Sequence, residues 1–457
     1  MRSVATGPAL ASGAIAVAEQ VPAAPEPSLP AGLGARLGRG TALRQILRGL
    51  AGGAVLQVGN KLLALASSVV LARLLGVEGF GLFAFAVAAG GLLSVVIEWG
   101  QGPLILRETA RAAGDESSGR DERHLPQSIA LLCTSAAAVV AVLAAALALS
   151  DLGLSPLERW ALAIAAPLGL FTALVRVLAA SLVGARRLLA GQAVEQLIAP
   201  AVLVAGAVAL SSLQIGSAFL AMGLQTSAMI VAVACGIVAL RAEIFGTQAR
   251  RPPLGLIARR GWPFLLIGSA LFISQQIDTL IIGFVLGTED VATYRIGSQL
   301  AATAIFPTVL VNTVVSPYVV KLVKDGNMAG FARLFYGATV LNAGATALAL
   351  AIFAVFGRAL LGLLYGEAFT AALPILLVLT GGYVVNCLFG PAGTVLSMTG
   401  HERLAARVLW AIAIANALLC IVIAPIHGVI GVATVTASAL AAYQIAMRVA
   451  MRRLLGV

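Results

Sequence analysis

Charge is scarce in this chain: Asp, Glu, Lys and Arg make up only 11% of its 457 residues. An average soluble domain carries about 25%. Lysine is scarcer still, with only Lys61, Lys321 and Lys324. None of them follows a glycine, so the chain has no GxxxxGK phosphate loop, and any transport must draw on something other than an ATP site here. The histidines, His124, His401 and His427, lie far apart and set up neither a metal site nor a triad. Cys133, Cys235, Cys387 and Cys420 are equally scattered, each inside an apolar run. They make no metal spacing and no disulfide framework, and read as packing residues. What remains is oily: 60% of the residues are hydrophobic and the mean hydropathy is +1.00. That combination indicates a polytopic membrane protein. The net charge of +11 does not point to nucleic acid, because the basic residues recur in short clusters between apolar runs rather than in one patch.

Residues 1–40 are rich in Ala, Pro and Gly, with Pro22, Pro25, Pro27 and Pro30 close together, and read as a disordered tail. Beyond it the hydropathy predicts spans near 49–72, 80–98, 127–149, 160–183, 193–211, 214–240, 262–286, 291–318, 332–356, 372–397, 404–424 and 428–449. Each is about the 20 residues that cross a ~30 Å hydrocarbon layer. The fold class is therefore all-α integral membrane, with about twelve transmembrane helices. Placing the N-terminus in the cytoplasm and alternating sides puts nearly all the arginine clusters inside, from Arg36, Arg39, Arg44 and Arg48 to Arg448, Arg452 and Arg453. Only Arg73, Arg159 and Arg358 fall outside. This bias predicts a multi-pass protein of the cytoplasmic (inner) membrane with both termini cytoplasmic.

An internal echo divides the chain. Leu75-Gly76-Val77-Glu78, four residues, then Phe83 matches Leu286-Gly287-Thr288-Glu289, four residues, then Tyr294. A proline, Pro103 or Pro317, is expected late in the second helix of each half. Six helices per half is an even number, so the halves enter the membrane the same way round, as parallel repeats with a site at their interface. The predicted organisation is a tail (1–40), a six-helix bundle (41–241), a basic cytoplasmic linker (242–261) with Pro252 and Pro253, and a second six-helix bundle with a short tail (262–457).

The run from Val70 to Phe83 resembles the opening signature of the polysaccharide flippases, the Wzx-like branch of the MOP exporter superfamily. The stretch from Ile277-Asp278-Thr279 to Tyr294, the Pro317 segment, Leu363 to Phe369, and Thr399-Gly400-His401-Glu402-Arg403 resemble that family's second half. The likeness covers about residues 41–453. It implies two bundles around a V-shaped central cavity, alternating access, and a cargo of polyprenyl-diphosphate-linked oligosaccharide. It also implies membrane lipids and glycan polymerase machinery as partners, and neither cofactor nor nucleic acid.

Such a cargo needs fixed cations for the diphosphate, hydrogen-bonding groups for sugar and an apolar slot for the tail. Charges are costly at mid-bilayer, at roughly 2.5–3.5 kcal/mol on insertion scales, so those present are candidates. In the first helix Gln57, Asn60 and Lys61 fall at helical spacing, with Ser67 and Ser68 two turns on. This stripe either faces the cavity or bonds a neighbouring helix while Lys61 snorkels. Arg176 lies one turn past Thr172, deep in its span, and either lines the cavity or pairs with Glu195 or Glu98. Arg295, Gln299 and Thr303 repeat every four residues, and Gln275 shares a face with Asp278. Asp278 and, at the end of the second helix, Glu98 are the candidate carboxylates for a coupling proton or sodium ion. Asp278 has a second reading, as the partner of Arg295 or Lys61. Pro167, Pro200, Pro307, Pro374 and Pro391 are candidate bends.

Two rivals keep the fold and change the cargo: a cation-coupled multidrug exporter and a lipid II flippase. Organic cations favour acidic cavities, and Lys61, Arg176 and Arg295 outnumber Asp278. A membrane enzyme would need a sizeable outer loop with catalytic side chains. The longest one expected, about 357–371, offers only Arg358, Tyr365 and Glu367.

Overall fold

The computed structural model describes residues 39–114, 125–149, 155–241, 252–309, 327–390, 392–398 and 401–455, with single helical residues at 244, 311, 315, 318 and 322. Nearly all of the expected tail, Pro317, Lys321, Lys324, Pro391 and Thr399-Gly400 lie outside the described residues.

Every regular element among the described residues is a helix. The first, Arg39–Glu98, has 60 residues and would be about 90 Å long if straight, far more than one bilayer. It is broken at Gly76 (φ 69°, ψ −172°) into α1 (39–75) and α2 (77–98). Residues 64–71 of α1 and 80–87 of α2 line one small cavity, so the two arms fold back on each other. Next come α3 (Gln101–Gly114), α4 (Leu125–Leu149), α5 (Pro156–Gly184), α6 (188–212) and α7 (Ala218–Ala239). The second half holds α8 (Leu254–Val285), α9 (Thr288–Ala304), α10 (Met328–Tyr365), α11 (Leu373–Leu388) and α12 (Ala392–Met398). It ends in Glu402–Leu455, broken at Gly428 (φ 59°, ψ −154°) into α13 (402–427) and α14 (429–455).

Among the described residues, 8 helices are long and apolar enough to cross a membrane, or 9 with the two arms of α8, which meet at 55°, taken as one span. Two of these are the pairs broken at Gly76 and Gly428, and α9 adds the leg that follows α8. Eleven of the twelve expected spans coincide with these legs, and α9 covers the first part of the expected 291–318 span, whose end lies largely outside the described residues. α5 packs on the α1–α2 pair, α3 and α7, while α14 and α13 pack on α8 and α11. The α1–α2 pair meets α8 and α9, which joins the halves.

The echoed motif has one structural meaning. Gly76 and Gly287 both carry positive φ, 69° and 113°, with extended ψ, and each sits between the first two helices of its half. An L side chain avoids that region, at a cost of roughly 1–3 kcal/mol. Gly366 and Gly428 adopt similar backbone conformations between later helices.

Some expectations are corrected. Pro103 is not late in the second helix. Trp99 and Gly100, both with positive φ, end α2, and Pro103 stands in the first turn of α3, where a missing N–H costs little. α3 is a separate helix, short and amphipathic, and so carries no span signal. The supposed linker is helical from Leu254 onward. The supposed loop 357–371 is the last turns of α10, Gly366 and a 3-10 turn, Glu367–Ala372. Apolar periodicity fades there before the helix does. Pro374 opens α11 rather than bending it, whereas Pro200 follows a π turn, Val194–Ile198, of the kind that relieves a lost helix bond.

Candidate substrate cavity

Three spaces adjoin between the halves. The first, about 550 Å³, is walled by α2, α5 and α7 on one side and α8 and α9 on the other; Glu98, Arg176, Gln275, Gln276 and Arg295 line it. The second, about 370 Å³, is lined by Gln57, Asn60, Lys61, Arg176, Glu195 and Gln196. The third, about 550 Å³, holds Lys61, Gln275, Gln276, Asp278, Tyr294, Arg295 and Gln299. Each pair of the three expected cations therefore shares a space: Arg176 with Arg295, Arg176 with Lys61, and Lys61 with Arg295. All seven expected cargo-contact residues line one or more of these spaces.

The cations differ in how they are held. Arg176 Nη1 lies 3.5 Å from Glu98 Oε2 and donates to Ser94 Oγ at 3.4 Å. Ser94 and Glu98 are one turn apart on α2, so α5 is clipped to α2 by an ion pair, and Glu98 is the partner rather than Glu195. Arg295 Nη1 donates to the neutral Gln276 Oε1 at 3.1 Å, across the turn between α8 and α9. Lys61 is exposed within the hollow and forms no ion pair with any described residue. Gln299 Nε2 donates to Ala64 O at 2.8 Å, a bond from α9 to α1 across the interface.

Asp278 does not pair directly with Arg295 or Lys61. Its Oδ2 accepts from the Tyr294 hydroxyl and its Oδ1 from the Thr279 N–H at 2.8 Å. Both side chains are buried. The tight turn at Gly287 brings Tyr294 of α9 beside Asp278 of α8. The paired motif had marked Tyr294 as part of a turn, not as this carboxylate's donor. Removing the donor leaves a buried acceptor unsatisfied, which costs about 1–3 kcal/mol. Tyr294→Phe is expected to lower the melting point of the purified protein, and the further change Asp278→Asn to restore most of the loss. Additive losses in that double-mutant cycle would show that the bond carries no coupling.

The acid count also changes. Glu98 and Glu195 line the hollow together with Asp278, so the cations do not outnumber the carboxylates. Among the described residues no three His, Cys, Asp or Glu side chains gather as a metal site.

At one end the halves are latched. Arg73 of α1 donates through Nε to Leu364 O at 2.7 Å and through Nη2 to Leu363 O, capping the end of α10 from the other half. Ser68 Oγ and Tyr365 OH are 3.1 Å apart, and the Phe80 and Phe369 rings meet edge to face. Gly81 lies so close to the Thr288 carbonyl that it has no room for a Cβ. At the other end Trp99 Nε1 donates to Ala258 O at 3.1 Å, and the Trp99 and Trp262 rings are 5.6 Å apart.

The family model described as polysaccharide biosynthesis protein matches residues 46–323, more than half of the chain. The chain belongs to this family. No curated protein sequence matches it. Solved structures do. The lipid II flippase MurJ in an inward closed conformation superposes with a TM-score of 0.70 at 14% identity, over 88% of this chain and 87% of that one. An inward-facing multidrug resistance MATE family transporter of the MOP superfamily gives 0.66 at 14% identity, over 88% and 98%. A MOP superfamily transporter from Pyrococcus furiosus gives 0.56 at 14%, over 88% and 93%. At such identity the likeness is one of fold. This polysaccharide biosynthesis family member is a multi-pass membrane protein with the MOP architecture, two six-helix bundles around a central hollow.

Proposed function

We propose that this protein is a flippase that moves a polyprenyl-diphosphate-linked oligosaccharide across the cytoplasmic membrane by alternating access, for exopolysaccharide or O-antigen assembly. Family and fold together support a flippase or exporter. The observation that carries the finer reading is the hollow between the halves, which Lys61 and Arg295 line with no carboxylate of the described residues in direct contact. Arginine pairs bidentately with phosphate, and both cations would hold a diphosphate in a site shielded from bulk water. Arg107, Arg111, Arg187, Arg259 and Arg260 cluster on the Trp99 side of the bundles, which by the positive-inside rule faces the cytoplasm, with both termini there. The Arg73 latch then closes the outer side, and the cargo enters from the cytoplasm. Asp278 and Glu98 are the carboxylates that would take a coupling proton or sodium ion. Glycan polymerase machinery would receive the product outside.

The acids Glu98, Glu195 and Asp278 in the same hollow favour a second reading, export of organic cations. One experiment separates them. Purified protein in proteoliposomes, under an imposed proton or sodium gradient, is expected to move a fluorescent lipid-linked oligosaccharide between leaflets and to leave a fluorescent organic cation where it is. Cation efflux without lipid translocation would reverse the assignment.

A further inference from the structure

The second of the three spaces differs in chemistry from the other two. Its α6 wall is not a plain helix. At Val194–Ile198 the chain winds as a π turn, a rare form that is frequent at functional sites. The extra residue swings Glu195 and Gln196 into the space, opposite Gln57 and Asn60 of α1. Gln192, one turn before Gln196, lies against Gly53 of α1, where a Cβ would come 3.2 Å from its Oε1. Among the described residues Gln196 Oε1 is buried and has no hydrogen-bond partner, and Gln192 Oε1, which packs on Gly53 rather than lining the space, has none either. A buried amide oxygen left unpaired carries a desolvation cost that an added donor removes.

What donor would fit? A diphosphate has none, and Glu195 repels it. Hydroxyls suit the space fully. Each amide offers donors and an acceptor side by side, and a carboxylate accepts from two hydroxyls at once. Lys61 and Arg176 stand where this space meets its neighbours. A headgroup would lie with its diphosphate at Lys61 and Arg295 and its first sugars towards α6.

We propose that the π turn of α6, through Glu195 and Gln196, forms a saccharide-reading subsite distinct from the diphosphate cradle. This rests on the cargo reading above and adds which part of the cargo each wall recognises.

The test compares two probes on the whole protein in nanodiscs: bare undecaprenyl diphosphate, and the lipid-linked saccharides extracted from membranes of the native host. Wild type is expected to bind the glycosylated lipid more tightly. Gln196→Leu should reduce that advantage by roughly fivefold, the worth of a net hydrogen bond, and leave the bare lipid's affinity unchanged. Unchanged binding of the bare lipid also reports an intact fold. Glu195→Gln, on an exposed residue, should reduce the advantage by a smaller factor, since the amide keeps one acceptor. Equal losses for both probes, or no loss for either, would overturn the subsite while leaving the cargo reading in place. A wild type that prefers neither probe over detergent would overturn both.

Discussion

Alanine at Lys61, Arg176 and Arg295 together is expected to lower lipid-linked glycan translocation in proteoliposomes by about two to four orders of magnitude. Among the described residues no carboxylate is in contact with Lys61 or Arg295, so both are free to meet phosphate oxygens. A charge-assisted hydrogen bond is worth about 1.5–3 kcal/mol, and each 1.4 kcal/mol is a factor of ten. Arg176 contributes differently. It is held by Glu98 at 3.5 Å, so its loss alone strands a carboxylate that is only 13% exposed. Arg176→Ala should therefore damage folding as well as transport, and Arg176→Ala with Glu98→Gln should regain the folding without the transport. Arg295→Lys should keep part of the rate, since lysine retains the charge and loses the fork. A triple variant that folds and moves lipid at the wild-type rate would remove the cations from the mechanism.

The second large effect concerns the latched end. Gly81 of α2 lies against the Thr288 carbonyl of α9, and a methyl group there would overlap a backbone atom that no rotamer can move. The halves would have to part. Overpacking of this kind costs about 1–3 kcal/mol or more, so Gly81→Ala is expected to shift the balance between closed and open forms by about 5- to 150-fold. The shift should appear as labelling. Ala84→Cys, 5% exposed beside the interface, should react slowly with an impermeant thiol reagent in a background freed of the native cysteines, and much faster once Gly81→Ala is added. Gly223→Ala, which meets nothing within 4 Å, is the control. Equal labelling in all three would mean that this contact does not hold the end shut.

Much of the architecture was legible in the sequence because a bilayer allows few solutions. With no water at its centre, every backbone group must bond within its own helix, so apolar length alone marks the spans. The same reasoning failed where that constraint relaxes. α3 is amphipathic and gives no span signal, and α10 runs on through residues whose pattern reads as a loop. The repeat around Gly76 and Gly287 was visible as letters, and its cause, positive φ at both glycines, required the backbone.

For the candidate cavity the division runs through individual residues. Lys61, Arg176, Asp278 and Arg295 stood out because charge in an oily helix is costly. Gln196 gave no such sign, and Glu195 was legible only as a candidate partner of Arg176: a π turn adds one residue to a helical repeat and scrambles the periodicity by which a face is recognised. Nor could spacing along the chain foretell Tyr294 as the donor to Asp278, or decide between Glu98 and Glu195 as the partner of Arg176. The sequence by itself determined a membrane-embedded, twice-repeated helical chain with a few stranded charges, since hydropathy and charge bias are local sums. Which charges are free and which are neutralised was decided only by the tertiary structure, because ion pairs and hydrogen bonds form at distances of about 3 Å between helices that the linear order keeps apart.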